Sequence, residues 1–164
     1  MISQTAEYAL RAVVWLASQT DGSLGTPHIA KATKVPAGYL SKVLQSLARA
    51  GLVVSHPGRN GGFTLTRPAD EISVLDVINA VDPIQRIREC PLDLKSHGVN
   101  LCPLHRRLDE AMAKAEEAFA GSTIAELLAE PTSSTPLCEG NPKLTIIRTT
   151  RQKKREANQM DPAQ

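Results

Sequence analysis

The sequence predicts a mainly α fold carrying one small β-hairpin and a separate long helix, on three observations. Three helix-period segments follow one another within about the first fifty residues. The pattern then switches to alternation on either side of a glycine-rich stretch, residues 56–62. Finally, an uninterrupted helical pattern runs from Pro103 to Ala120.

Each element has its own warrant. Over residues 2–18, Ile2, Ala6, Leu10, Val13, Val14 and Ala17 form an apolar stripe, with Gln4, Glu7, Arg11 and Ser18 on the polar side. Asp21-Gly22 breaks this helix. Thr26-Pro27 reads as an N-cap followed by proline at the first helical position, opening a short helix that runs through Thr33 and stops at Val35-Pro36. The third helix covers about residues 37–50, with Leu40, Val43, Leu44 and Leu47 inward and Gly51 in the left-handed position after its end. Strands are expected at residues 52–54 and 63–66. Ser73 caps a helix whose Val74, Val77, Ile78 and Val81 share a face, and Asp82-Pro83 ends it. A loop over about residues 88–101 leads into the long helix, which has Leu104, Leu108, Ala111, Met112, Ala115 and Phe119 on one side and calls for a partner helix. Ser122 or Thr123 caps a last turn through Leu128.

The expected organisation is therefore a DNA-binding domain over residues 1–83, a sensor loop over 84–102, a dimerisation helix region over 103–130 and a linker with a basic, disordered tail over 131–164. Helix, short helix, turn, helix and hairpin in this order make a winged helix-turn-helix, whose third helix enters the major groove of a duplex. The outward side of that helix offers Tyr39, Ser41, Lys42, Gln45 and Arg49 and has no acidic residue, so a phosphate backbone meets no like charge. In the wing, Gly58, Gly61 and Gly62 permit close approach, Arg59 suits a narrow minor groove, and His56 and Asn60 add phosphate donors.

Composition excludes several other classes. A length of 164 residues suits one compact domain with an appended helix, not a large two-domain enzyme. The net charge of +2 means that any basic surface is local, and 3% aromatic residues are too few for a groove that stacks single-stranded bases. No apolar run approaches the roughly 20 residues that span a bilayer, and no signal-peptide pattern opens the chain, so a cytoplasmic location is expected. Phosphate loops, nucleophile elbows and zinc-protease histidine pairs are missing, which makes an enzyme the weakest reading. A winged-helix adaptor that binds protein is the rival class.

Three cysteines, an odd number at irregular spacing, argue against a secreted disulfide framework. Cys90, His97, Cys102 and His105 concentrate two thiols and two imidazoles between two helices, a set of soft donors suited to metal ligation. Cys102 stands at the start of the long helix with Pro103 at its first position, where the helix N-terminus favours an anionic sulfur, and His105 lies one turn further on. Three readings stay open: an iron-sulfur cluster, a switch in which Cys90 and Cys102 form or break a disulfide, and a structural loop or zinc site. Cys138, past the linker, reads as an accessible thiol.

The run Tyr39-Leu40, Leu44, Leu47, Ala50-Gly51-Leu52-Val53, Ser55 and Gly58-Arg59-Asn60-Gly61-Gly62-Phe63 resembles the DNA-binding signature of the Rrf2 family of bacterial regulators. Tyr8-Ala9-Leu10-Arg11-Ala12 and Ile72-Ser73-Val74-Leu75-Asp76-Val77-Ile78 are similar to it as well, extending the likeness over roughly residues 1–130. The resemblance implies a homodimer on a near-palindromic operator, with the long helices crossing at the dimer interface. It also implies sensing of redox state, nitric oxide or iron-sulfur status. Cluster-binding members carry three loop cysteines and a carboxylate from the first helix of the opposite subunit, a position that Glu7 matches. This loop has two cysteines, so a cluster here has to recruit His97 or His105 with Glu7. An ordinary ion pair between Glu7 and Arg11, four residues apart on one helix, is the competing role for that carboxylate.

Overall fold

A computed structural model of the chain describes residues 2–19, 22–58, 61–91, 101–131 and 136–137. Ser3 begins the first helix, because its hydroxyl accepts from the Ala6 amide at 3.2 Å, and α1 spans Gln4–Ser18. Ile2 lies ahead of that cap and is 37% exposed. The buried side of α1 is broader than the sequence stripe: Ala9, Ala12 and Leu16 join Ala6, Val13 and Val14, whereas Leu10 and Ala17 are half-buried. The small side chains of Ala6, Ala9 and Ala12 let neighbouring elements approach the axis closely. α1 is accordingly the central helix, packed by α2 (Thr26–Thr33), α3 (Ala37–Arg49), α4 (Val74–Val81) and α6 (Ile124–Ala129).

The cap of α2 is Gly25 and not Thr26, which is already helical. The cause is Leu24, whose N–H and C=O pair with Phe63 at 3.2 and 2.9 Å and hold the chain extended up to Gly25. Lys34 ends α2 at φ +56, in the left-handed region, and Pro36 caps α3. Between them the Val35 amide reaches back to the Ala30 carbonyl at 3.1 Å. Leu40, Val43, Leu44 and Leu47 are all buried, so the inward side of α3 is the one its periodicity predicts. Burial of side chains of this size stabilises by about 1.5–3 kcal/mol each. Gly51 follows at φ +73.

The wing consists of β1 (Val53–His56) and β2 (Gly62–Leu65), antiparallel with Val53 opposite Leu65 and His56 opposite Gly62. Both strands therefore run further toward the tip than alternation alone indicates. The Leu24–Phe63 bridge fastens the hairpin to the segment that precedes α2. That contact leaves no room at Gly62, where a Cβ would stand 2.3 Å from the Leu24 carbonyl carbon and 2.7 Å from the Gly25 nitrogen. Gly62→Ala is expected to push the wing off this seat and to destabilise the fold by about 1–3 kcal/mol, the usual cost of overpacking. Thermal melting checks it, and an unchanged midpoint would show that the hairpin relaxes freely.

A short 3-10 turn at Ala69–Glu71, not anticipated from the sequence, leads to α4. Ser73 and Asp76 form a reciprocal capping box there, and Thr123 with Glu126 forms another at α6. α5 spans Pro103–Ala120, the limits its pattern predicts, with Cys102 at the N-cap. Its apolar residues are not equally covered along its length, however. Phe119 packs against the core and Met112 is half-buried, while Leu104 is 63% and Leu108 44% exposed. None of the residues of α5 is fully buried. Beyond it, Ile124 enters the same core as α1, α3 and α4. No helix among the described residues is long and apolar enough to cross a membrane.

Candidate nucleic-acid interface and cysteine loop

Inward burial of Leu40, Val43, Leu44 and Leu47 leaves the opposite side of α3 to solvent. Lys42, Gln45 and Arg49 are exposed there at helical spacing. Ser41 is half-buried and donates to the Ala37 carbonyl at 3.0 Å, while Arg49 rests near Ser46 at 3.3 Å. Both are weak local bonds at the surface, readily exchanged for a phosphate or a base edge. Tyr39 is 41% exposed, and it also ties the start of α3 to α1: its ring meets Tyr8 edge-on at 5.6 Å and its hydroxyl bonds Thr5. His56, on the wing, bonds Thr64 at 2.8 Å across the hairpin. Arg59 and Asn60 lie outside the described residues, as do His97, Cys138 and the basic tail.

The reading of α3 alone understates the charge of this region. Residues 22–69 contain Lys31, Lys34, Lys42, Arg49, Arg59 and Arg67 and not one Asp or Glu. Of the described members, Lys31, Lys34, Lys42, Arg49 and Arg67 are exposed, as is His28 on α2. A count of acidic residues over the whole helix pair and wing is the signal that finds Lys31, Lys34 and His28. Such a surface attracts a polyanion while the net charge of the chain remains small.

The second cluster lies between α4 and α5. Cys90 and Cys102 are half-buried thiols. The Cys102 sulfur is 3.4 Å from Nδ1 of His105, so these two are brought together as their helical spacing predicts. Glu7 is paired on its own helix. It accepts from Arg11 at 2.6 Å, and Arg11 also donates to the Thr33 carbonyl at 3.1 Å and lies 5.6 Å from the centre of the Tyr8 ring. Among the described residues of one chain, no three His, Cys, Asp or Glu side chains gather closely enough to hold a metal. Cys90, Cys102 and His105 are not gathered into one site, so the donors described do not fit an iron-sulfur cluster by themselves.

One part of this region escapes sequence reading. Arg86 grips Asp109 with two bonds of 2.6 Å and Glu116 with one of 2.8 Å, and the Ile87 amide adds a bond to Asp109 at 2.9 Å. The three partners are separated by 23 and 30 positions, beyond any local pattern. Hydrogen bonds from Arg86, aided by the Ile87 amide, hold the Asp109 carboxyl below the usual carboxylate range.

A pattern describing the Rrf2 family, an iron-dependent transcriptional regulator, matches residues 2–130. The chain belongs to the Rrf2 family. Among its relatives, a chain described as an HTH-type transcriptional regulator of Aquifex aeolicus is 31% identical over 131 residues, 78% of this chain and 91% of that one. The solved structure of CymR, the global cysteine regulator of B. subtilis, superposes with a TM-score of 0.65 at 25% identity, covering 79% of this chain and 96% of CymR. IscR of T. potens shares the fold with a TM-score of 0.66 at 24% identity, over 80% of this chain and 88% of IscR. The chain is thus a winged-helix, DNA-binding transcriptional regulator of the Rrf2 family and not an enzyme.

Proposed function

We propose that this Rrf2 regulator works in the cytoplasm as a homodimer that binds a near-palindromic duplex through α3 and the wing, and that its grip depends on the state of the Cys90–Cys102 loop. The observation that carries the first half is the exposed, acid-free side of α3 next to a seated wing. Lys42 and Arg49 serve as phosphate and base contacts, Gln45 suits a bidentate contact with adenine, and Ser41 and His56 reach the backbone. Arg59 and Asn60 extend these contacts from the wing tip. Two copies place their α3 helices about one DNA turn apart, roughly 34–36 Å.

Cys102 beside His105, with Cys90 at the other stem of the same loop, supports a thiol switch. A peroxide would take two electrons from the pair, giving a Cys90–Cys102 disulfide and water, with the thiol protons leaving with the product oxygens. The loop has to bring the two Cα atoms to about 4.4–6.8 Å for that bond. An iron-sulfur cluster is the second reading, favoured by the family's iron-dependent character. It requires ligands beyond Cys90, Cys102 and His105, for which His97 and Glu7 of the opposite subunit are the candidates.

The test begins with duplexes selected by the anaerobically purified protein from a random-sequence library. Lys42→Ala and Arg49→Ala are each expected to lower affinity across all selected duplexes and to reduce the salt slope of log K by about 1. Sequence-blind binding that ignores salt would instead support a protein-binding adaptor. An absorption spectrum of the same sample separates the sensor readings: charge-transfer bands mark a cluster, a colourless protein that loses two thiols to peroxide marks the switch. Cys102→Ala should abolish the response in either case, and a fully retained response would reject the loop as the sensor.

A further inference from the structure

α5 is held to the rest of the protomer unevenly. At its C-terminal end, Phe119 packs on the core, the Ser122 carbonyl accepts from Val74 at 2.9 Å, and the Ile124 amide donates to Ile72 at 2.9 Å. Ile124 itself is fully buried. No residue of the helix itself is fully buried, and the Arg86 clamp ties its middle at Asp109 and its penultimate turn at Glu116, leaving the turns that carry Leu104 and Leu108 beyond the clamp. Arg86 stands four residues before Cys90, and Asp109 seven residues after Cys102. The clamp is therefore also the base of the cysteine loop. Its side chains are 22% exposed at Arg86, 17% at Asp109 and 28% at Glu116, well shielded for an ion-pair network. With Asp109 kept charged by its partner, the clamp is ionised on both sides at neutral pH.

We propose that Arg86 is a positioning residue that converts a change in the Cys90–Cys102 loop into a tilt of α5, rotating the helix about its fixed end at Phe119–Ile124. The inference deepens the sensor reading above and rests on it. A guanidinium paired through both Nε and Nη2 to one carboxylate is directional, so the chain from 86 to 90 cannot slide along α5 without carrying the helix or breaking the pair. Eighteen residues give a lever of about 27 Å, and a tilt of about 10° displaces its far end by about 5 Å. That end carries the exposed Leu104 and Leu108, on the helix through which the proposed homodimer pairs. In a dimer, such a shift changes the separation of the two α3 helices on DNA.

The experiment compares the affinity of the full chain for one selected duplex in its anaerobic, reduced state and after treatment with hydrogen peroxide. Typical coupling makes the two affinities differ by about 5–150-fold in the parent. In R86Q the loop is expected to react to the same extent, read by thiol titration and mass spectrometry, and reduced-state affinity to stay within a few-fold of the parent. The ratio between the two states should fall to near one. R86K, which keeps the charge but loses the bidentate fork, should restore only part of the ratio. Should R86Q melt too low to assay, D109N removes the same pair and is read in the same way. A responsive parent with an equally responsive R86Q or D109N overturns the role of Arg86 alone. A parent whose affinity is the same in both states overturns the sensor reading, and this inference with it.

Discussion

Replacing both Leu104 and Leu108 by Asp is expected to turn the proposed homodimer into a monomer and to weaken binding to the selected duplex by about 10²–10⁴-fold, the advantage of engaging two half-sites at once. The reason lies in the mismatch between spacing and burial. Leu104, Leu108, Ala111, Ala115 and Ala118 recur at alternating steps of four and three along α5, the seam of a paired helix. Yet Leu104 is 63% and Leu108 44% exposed, and Ala111 and Ala118 are exposed too. The described residues leave most of this seam open, with Ala115 half-buried, whereas a second α5 would cover it. Charges placed there touch little of the protomer's own core, so the circular dichroism spectrum and melting cooperativity should be retained. Sedimentation velocity reads the assembly and a gel-shift titration the affinity. A double variant that still sediments as a dimer would locate the subunit contact elsewhere.

Leu44→Ala should have the largest effect on stability. Leu44 is fully buried on the inward side of α3, and truncating such a side chain costs about 2–5 kcal/mol through lost burial and the cavity left behind. For a chain of this size that corresponds to a fall of about 4–20 °C in Tm. DNA binding should weaken in step, because the same side chain sets how α3 sits on the core. Gln45→Ala, one residue further and exposed, should leave the melting midpoint almost unchanged while lowering discrimination among selected duplexes by about 1–3 kcal/mol. Adjacent positions on one helix thus separate folding from recognition. Equal loss of stability in both variants would contradict the orientation of α3.

Much of this division was readable beforehand because it is local. Leu40, Val43, Leu44 and Leu47 repeat at helical spacing, and the structure buries all four. Ser73 announces the start of α4, Gly51 the end of α3, and Pro103 the first turn of α5, each through a backbone requirement that its own residue satisfies. The departures are equally specific. Thr26 lost its capping position to Gly25 because Leu24 pairs with Phe63, a residue 39 positions away. The contacts of the exposed Tyr39 with Tyr8 and Thr5 on another helix are likewise outside any local pattern. The Glu7–Arg11 ion pair, by contrast, follows from their spacing of four on one helix.

Sequence by itself determined the helix order, the inward side of α3, the wing and the start of α5, since these follow from periodicity, caps and turn residues a few positions apart. It also carried the acid-free stretch 22–69, which depends on composition and not on packing. Tertiary structure alone decided that α5 packs Phe119 on the core and leaves Leu104 and Leu108 exposed. It alone joined Arg86 to Asp109 and Glu116. Both outcomes depend on how separate elements meet in space, where side chains tens of residues apart compete for the same partners, and no local pattern encodes that competition.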